Sequence, residues 1–118
     1  IFQGINFNKL REESIKLSDF LIKMVEQKCP DLHLESPINS SDRGSQVSFS
    51  HPSGYAIMQA LIDRNIVGDF RAPNIIRFGI TPLYINEDDI IQTVKVLREI
   101  LSNRLWENPI YINRKKVT

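Results

Sequence analysis

The chain has 118 residues, of which 42% are hydrophobic and 25% charged, a balance typical of one soluble globular domain. Its 15 basic and 14 acidic residues leave a net charge of +1, which excludes the strongly basic surface of nucleic-acid-binding proteins. No apolar run approaches the roughly 18 residues that cross a membrane, and a single cysteine excludes an internal disulfide. We therefore expect a cytoplasmic protein with neither nucleic acid nor membrane as a partner.

The first predicted element is an amphipathic helix over about residues 8–28. Its apolar residues recur at helical spacing: Leu10, Leu17, Phe20, Leu21, Met24 and Val25. Asn8 is placed to cap its start, and Pro30 ends it because proline has no amide hydrogen. Cys29 closes the apolar stripe, so we interpret it as a small buried residue rather than a nucleophile.

A loop with a short strand near residues 32–35 follows this helix. Residues 46–50 then alternate polar and apolar side chains, which is the period of a half-buried strand. A second helix is predicted over about residues 53–64. Asn65 favours the left-handed backbone conformation that ends helices.

Two further strands, over residues 66–70 and 74–80, precede the last predicted helix. Asn86 caps that helix, and three acids lie in its first turn, where the helix dipole favours negative charge: Glu87, Asp88 and Asp89. Apolar residues continue at helical spacing: Ile90, Val94, Leu97 and Leu101. This order of elements predicts an α/β (α+β) sandwich, in which a small, largely antiparallel sheet is covered by helices on one face.

The strand over residues 74–80 carries an arginine among apolar residues. Alternation along the strand gives one face three apolar side chains: Ile76, Phe78 and Ile80. The other face carries Ile75, Arg77 and Gly79. A guanidinium in an apolar strand needs a partner, either an internal carboxylate such as Asp69 or the carboxylate of a ligand. The pattern favours the ion pair, whereas Gly79 favours the ligand because a glycine lets a molecule approach the backbone closely.

The other reactive side chains favour structural roles. Arg71 ends a strand, where we expect a surface or interface salt bridge. His33 and His51 have no cysteine or carboxylate at metal-ligand spacing, so no metal site is predicted. Trp106 and Tyr111 are expected to anchor the C-terminal segment to a core or a partner.

Several segments match one family of bacterial enzymes in order and spacing. The longest are Arg43-Gly44-Ser45-Gln46-Val47-Ser48-Phe49, His51-Pro52-x-Gly54-Tyr55-Ala56-x-Met58-Gln59-Ala60-Leu61-Ile62, Gly68-Asp69-Phe70-Arg71-x-Pro73 and Arg77-Phe78-Gly79-x-Thr81-Pro82-Leu83-Tyr84. Further matching residues lie near the two ends: Leu10, Arg11, Ser14, Leu17, Phe20, Val25, Glu26, Trp106, Arg114, Val117 and Thr118. Over nearly its whole length the chain resembles the kynureninases.

The resemblance implies the C-terminal domain of an aspartate-aminotransferase-like fold, a single small domain over residues 1–118 with the catalytic large domain missing upstream. It implies a homodimeric hydrolase of tryptophan catabolism that depends on pyridoxal phosphate. Such an enzyme cleaves L-kynurenine or 3-hydroxykynurenine into anthranilate or 3-hydroxyanthranilate and L-alanine. The family's substrate-carboxylate arginine corresponds to Arg77, which reverses the preference for a structural ion pair.

The family's Schiff-base lysine and other cofactor contacts belong to the large domain, so we expect no catalytic, cofactor-binding or metal-binding residue in this chain. Its lysines are predicted on helix surfaces or the tail: Lys9, Lys16, Lys23, Lys28, Lys95, Lys115 and Lys116. A start at Ile1 rather than methionine also indicates a fragment. Because the cofactor contacts belong to the large domain, we expect this fragment to be inactive alone. The residues themselves leave two alternatives open, a free-standing module that binds a small ligand through Arg77 and a dimerisation domain.

Overall fold

The computed structural model describes residues 7–37, 46–80, 82 and 85–112. In chain order its elements are α1 Phe7–Lys28, β1 His33–Leu34, β2 Gln46–Ser50, α2 Gly54–Asp63, β3 Asp69–Arg71, β4 Ile75–Gly79, α3 Glu87–Ser102, a 3-10 helix Leu105–Glu107 and α4 Pro109–Ile112. Because α1 already includes Phe7, Asn8 lies inside the helix, and the prediction that it caps the helix is wrong. Within the described part, no helix is both long and apolar enough to span a membrane.

The four strands form one antiparallel sheet in the order β1-β2-β4-β3. In the central pair, Val47 of β2 lies opposite Phe78 of β4, so that apolar side chains meet on one face. β3 is an outer strand, and its Asp69 lies opposite Arg77 of β4. The predicted α+β sandwich with a small antiparallel sheet is confirmed.

The strand β3 begins later than the sequence pattern predicts. Asn65 has the predicted left-handed conformation, with φ of 65°. Its N–H donates to the carbonyl of Ile62, and the N–H of Ile66 donates to the carbonyl of Leu61, which are the two bonds of a Schellman motif. Ile66 is therefore held by the turn that follows α2, and strand pairing starts only at Asp69.

The helices α1, α2 and α3 cover one face of the sheet and enclose the core, as predicted. At the start of α3, the Asn86 side chain accepts from the Asp89 N–H at 3.0 Å, and the Asp89 carboxylate accepts from the Asn86 N–H at 3.0 Å. This capping box fixes the start of the helix where the sequence predicts it. The largest fully buried side chains come from all three helices and the central strands: Leu21, Val25, Val47, Phe49, Ile57, Met58, Leu61, Ile76, Val94, Leu97 and Ile100.

Two short helical segments, the 3-10 helix and α4, follow α3 and were not predicted, because elements this short show no periodicity. The Tyr111 hydroxyl donates to the Asp63 carboxylate at 2.6 Å and accepts from Arg64 Nη1 at 3.3 Å. The Trp106 ring packs edge-on against His51, with 5.8 Å between ring centroids. Both aromatic residues therefore anchor the C-terminal segment to α2 and its start, as predicted.

Candidate functional site

Arg77 lies on the sheet face opposite the helices, which no helix of the described residues covers and which we call the open face. Ile76 and Phe78 of β4 face the core, so alternation places Ile75, Arg77 and Gly79 on the open face. Arg77 lies opposite Ser48 in β2 and opposite Asp69 in β3. Because cross-strand partners share a face, polar side chains flank Arg77 on both sides.

Asp69 forms a bidentate ion pair with Arg77. The Arg77 Nε–H donates to Asp69 Oδ1 at 2.7 Å, and Arg77 Nη2 donates to Asp69 Oδ2 at 2.6 Å. The Arg77 side chain is 20% exposed and the Asp69 side chain 53%. This hydrogen bonding lowers the pKa of Asp69 and raises the pKa of Arg77, so it favours the charged form of both groups.

The ion pair matches the internal partner that the sequence suggests for Arg77. The Arg77 side chain is less buried than Ile76 and Phe78 on either side of it, because no helix of the described residues covers this face of the sheet. The pair uses two of the five N–H groups that a guanidinium carries. Binding of a ligand carboxylate by the remaining groups therefore stays a prediction.

Two glycines near Arg77 have opposite surroundings. A Cβ atom added to Gly79 would meet no heavy atom within 4 Å, so the backbone there is open to approach. A Cβ atom added to Gly68 would lie 2.7 Å from the Arg77 carbonyl oxygen. The absence of a side chain at Gly68 therefore allows the start of β3 to pack closely against β4. Other residues of the matched motifs lie outside the described part of the structure: residues 43–45, Thr81, Leu83, Tyr84 and residues 114–118.

Cys29 and His51 lie away from Arg77 and have structural roles. Cys29 is 2% exposed, and burial raises the pKa of its thiol to about 11, which fits the predicted small buried residue. His51 Nδ1 accepts from the Ser53 N–H at 2.9 Å, a role that the sequence reasoning missed. The signal was its position just before a helix start, where side-chain acceptors bond the free backbone N–H groups. Within the described residues, no three His, Cys, Asp or Glu side chains are grouped as metal ligands.

Comparison with known proteins identifies the family. Residues 10–97 match the family model of the kynureninase C-terminal domain. This chain belongs to that family. It is 43% identical to a kynureninase of Pseudomonas fluorescens, and 42% identical to kynureninases of Burkholderia mallei (strain SAVP1) and Burkholderia pseudomallei (strain K96243). Each alignment covers 100% of this chain and 29% of the relative, so the chain spans less than a third of the length of these kynureninases.

A solved structure of a NifS-like protein has the same fold as this kynureninase C-terminal domain. The TM-score is 0.70 at 20% sequence identity, over 81% of this chain and 29% of that chain. The likeness confirms the predicted fold class.

The third charged side chain near Arg77 in this kynureninase domain is Arg71, which is exposed on β3. It lies opposite the apolar Ile75, and within the described residues it forms no salt bridge. The predicted surface or interface salt bridge of Arg71 stays a prediction. Its positive charge still contributes to the lowered pKa of Asp69, although less than the hydrogen bond with Arg77. Asp69, Arg71 and Arg77, called the β3–β4 charge cluster below, carry a single net positive charge.

The described part of this kynureninase domain does not fit pyridoxal phosphate by itself. A lysine that holds this cofactor as a Schiff base needs a desolvated amine. All described lysines are exposed on helices: Lys9, Lys16, Lys23, Lys28 and Lys95. Lys115 and Lys116 lie outside the described residues.

Proposed function

We propose that this chain is the C-terminal small domain of a pyridoxal-phosphate-dependent kynureninase, in which Arg77 binds the α-carboxylate of L-kynurenine or 3-hydroxykynurenine. Membership of the kynureninase C-terminal domain family and the 43% identity to the Pseudomonas fluorescens kynureninase support the proposal. The observation that carries the role of Arg77 is its place on the open face of β4, where, among the described residues, its guanidinium bonds to Asp69 through only two of its five N–H groups.

A guanidinium holds a carboxylate through two parallel, charge-assisted hydrogen bonds. Binding of this kind fixes the substrate in one orientation, so Arg77 acts by positioning and transfers no proton. Pyridoxal phosphate, when bound, supplies an electron sink, and we assign its binding to a large domain that precedes this chain. The products are anthranilate or 3-hydroxyanthranilate and L-alanine.

The proposal names this chain's partners as its own large domain, the substrate and a second subunit in a homodimer. It places the enzyme in the cytoplasm and in tryptophan catabolism. A free-standing ligand-binding or dimerisation module is not favoured, because this chain aligns in full with one part of longer kynureninases.

The test replaces Arg77 in the full-length enzyme and measures anthranilate formation. Arg77→Ala is expected to lower kcat/KM roughly a hundredfold, because losing hydrogen bonds to a charged group costs about 3 kcal/mol. Arg77→Lys is expected to recover little of this loss, since an ammonium keeps the charge but not the planar fork.

The matched control is Glu107→Gln, which breaks a bidentate pair of the same kind. Glu107 accepts from Arg104 Nε at 2.7 Å and from Nη2 at 2.8 Å, and this pair lies in the C-terminal segment rather than on the sheet. An Arg77→Ala enzyme with the kinetics of the Glu107→Gln enzyme would contradict the proposal.

A further inference from the structure

The ion pair between Asp69 and Arg77 is asymmetric on the guanidinium. Asp69 binds the side edge, formed by Nε and Nη2, at 2.7 and 2.6 Å. The end edge of the group, formed by Nη1 and the second hydrogen of Nη2, takes no part in this pair. A planar guanidinium offers a bidentate fork on each of these edges, so Arg77 can hold a second carboxylate without releasing the first.

We propose that Asp69 is a positioning residue, which fixes the guanidinium plane of Arg77 and presents its end edge to the substrate carboxylate. This inference rests on the proposed function of Arg77 and adds a residue to it. Asp69 lies directly opposite Arg77 in the paired strands β3 and β4, so the backbone register sets where the carboxylate meets the arginine. Because β4 is a central strand of the sheet, the Arg77 backbone is itself held on both sides.

Fixing the guanidinium in advance lowers the conformational entropy that Arg77 loses when the substrate binds. An arginine side chain has many rotamers, and a mobile one loses that freedom when it binds a carboxylate. With two hydrogen bonds from Arg77 to Asp69 already formed, much of this ordering precedes binding. The exposed fraction of 20% for the Arg77 side chain agrees with a group held along the sheet rather than extended into water.

The charges of the cluster also permit a second carboxylate. Asp69 neutralises one positive charge, but Arg71 supplies another on the same face of β3, two residues from Asp69. The β3–β4 charge cluster therefore keeps a net positive charge with the ion pair formed. A substrate carboxylate meets an attractive field and need not displace Asp69.

Two other roles for Asp69 make different predictions. In a purely structural role, the pair only joins β3 to β4, and substrate recognition does not depend on it. In a competing role, Asp69 occupies the site that the substrate needs, and its removal strengthens carboxylate binding.

The experiment measures carboxylate recognition in the full-length enzyme with two competitive inhibitors, L-alanine and L-alaninamide, which differ in the carboxylate. The ratio of their inhibition constants reports the contribution of Arg77 and does not respond to a change in stability alone. We expect Asp69→Asn to bring this ratio about tenfold closer to unity. A misplaced guanidinium weakens the binding of L-alanine, which carries the carboxylate, and leaves the binding of L-alaninamide unchanged. Asp69→Glu, which keeps the carboxylate, is expected to restore part of the ratio, and Glu107→Gln to leave it unchanged.

The outcomes separate this inference from the proposed function. If Arg77→Ala brings the ratio of inhibition constants to unity and Asp69→Asn leaves it at the wild-type value, the positioning role of Asp69 is overturned and the role of Arg77 stands. A ratio that moves further from unity in Asp69→Asn also overturns it, in favour of competition. If Arg77→Ala leaves the ratio unchanged, both proposals fail.

A measurement on the wild-type enzyme covers the case in which Asp69→Asn does not fold. With isotope-labelled arginine, the Arg77 Nε–H signal is assigned by its loss in Arg77→Lys. We expect this hydrogen to exchange slowly with water both without and with saturating L-alanine, because Asp69 holds it throughout. Rapid exchange in either state overturns the positioning role.

Discussion

At the scale of single residues, His51 joins the start of α2 to the C-terminal segment through a neutral ring. Its Nδ1 accepts from the Ser53 N–H at 2.9 Å, so this nitrogen carries no proton. One side of the ring contacts Trp106. Burial lowers the pKa of His51, and the negative charge of Asp31 opposes this shift to a smaller extent. Protonation at Nδ1 breaks the bond with Ser53.

The free energy of unfolding is therefore expected to fall as the pH drops below about 6.5. The unfolded chain takes up the His51 proton first, and the loss is complete once the pH lies below the folded pKa. His51→Asn, which keeps an acceptor but does not titrate, is expected to remove this dependence. His33→Asn is the control, since the exposed His33 lies 3.8 Å from Glu35 and takes no part in the helix start.

Urea unfolding between about pH 8 and pH 5.5 tests this, since that range lies above the usual titration of carboxylates. Retention of the full pH dependence in His51→Asn would show that another group causes it.

At the scale of elements, the close pairing of β3 with β4 places Asp69 beside Arg77, and Gly68 permits it. A Cβ atom at Gly68 would lie 2.7 Å from the Arg77 carbonyl oxygen, which belongs to the rigid backbone of a central strand. Gly68→Ala is therefore expected to destabilise the domain by about 1–3 kcal/mol, the usual cost of overpacking. β3 has to shift, so carboxylate recognition should weaken as well.

Gly79→Ala is the matched control, because its new Cβ atom meets nothing within 4 Å. Its free energy of unfolding is expected to stay level or rise by about 0.5 kcal/mol, since alanine loses less backbone entropy than glycine in a strand. Chemical denaturation of both variants makes the comparison. Equal stability of Gly68→Ala and Gly79→Ala would mean that β3 accommodates the methyl group without strain.

The sequence predicts elements best where a local chemical signal marks their ends. Asn86 and Asp89 form the capping box that starts α3, and Asn65 adopts the left-handed conformation that ends α2. The sequence identifies Asp69 as a possible partner of Arg77, but it does not identify Ser48. The position of Ser48 beside Arg77 depends on the register between β2 and β4, which long-range packing sets. The two C-terminal helical segments were missed because their position depends on contacts such as that of Tyr111 with Asp63.

At the scale of the whole molecule, the described helices all cover one face of the sheet, and the β3–β4 charge cluster lies on the other face. The relatives are much longer, and this chain covers 29% of their length. The described lysines are all exposed on helices and give the cofactor no desolvated amine. The residues that hold the cofactor are therefore expected outside this domain.

The 118-residue chain alone is accordingly expected to show no kynurenine hydrolysis, even with added pyridoxal phosphate. Anthranilate fluorescence under conditions that saturate the full-length enzyme makes the measurement. Saturable turnover by the chain alone, lost in Arg77→Ala, would overturn this expectation and make the chain a complete catalytic unit.

The short outer strand β3 has a consequence for self-association. An outer strand exposes backbone N–H and C=O groups on which a strand of another molecule can pair and begin a fibre. β3 offers only three residues for such pairing, and two of them, Asp69 and Arg71, are charged. An edge of three residues offers few backbone hydrogen bonds to a second copy, and its two charged side chains keep the edge hydrated. Asp69, which holds Arg77, thus also belongs to a short, charged edge, and we expect this edge to limit aggregation when the domain is handled at high concentration.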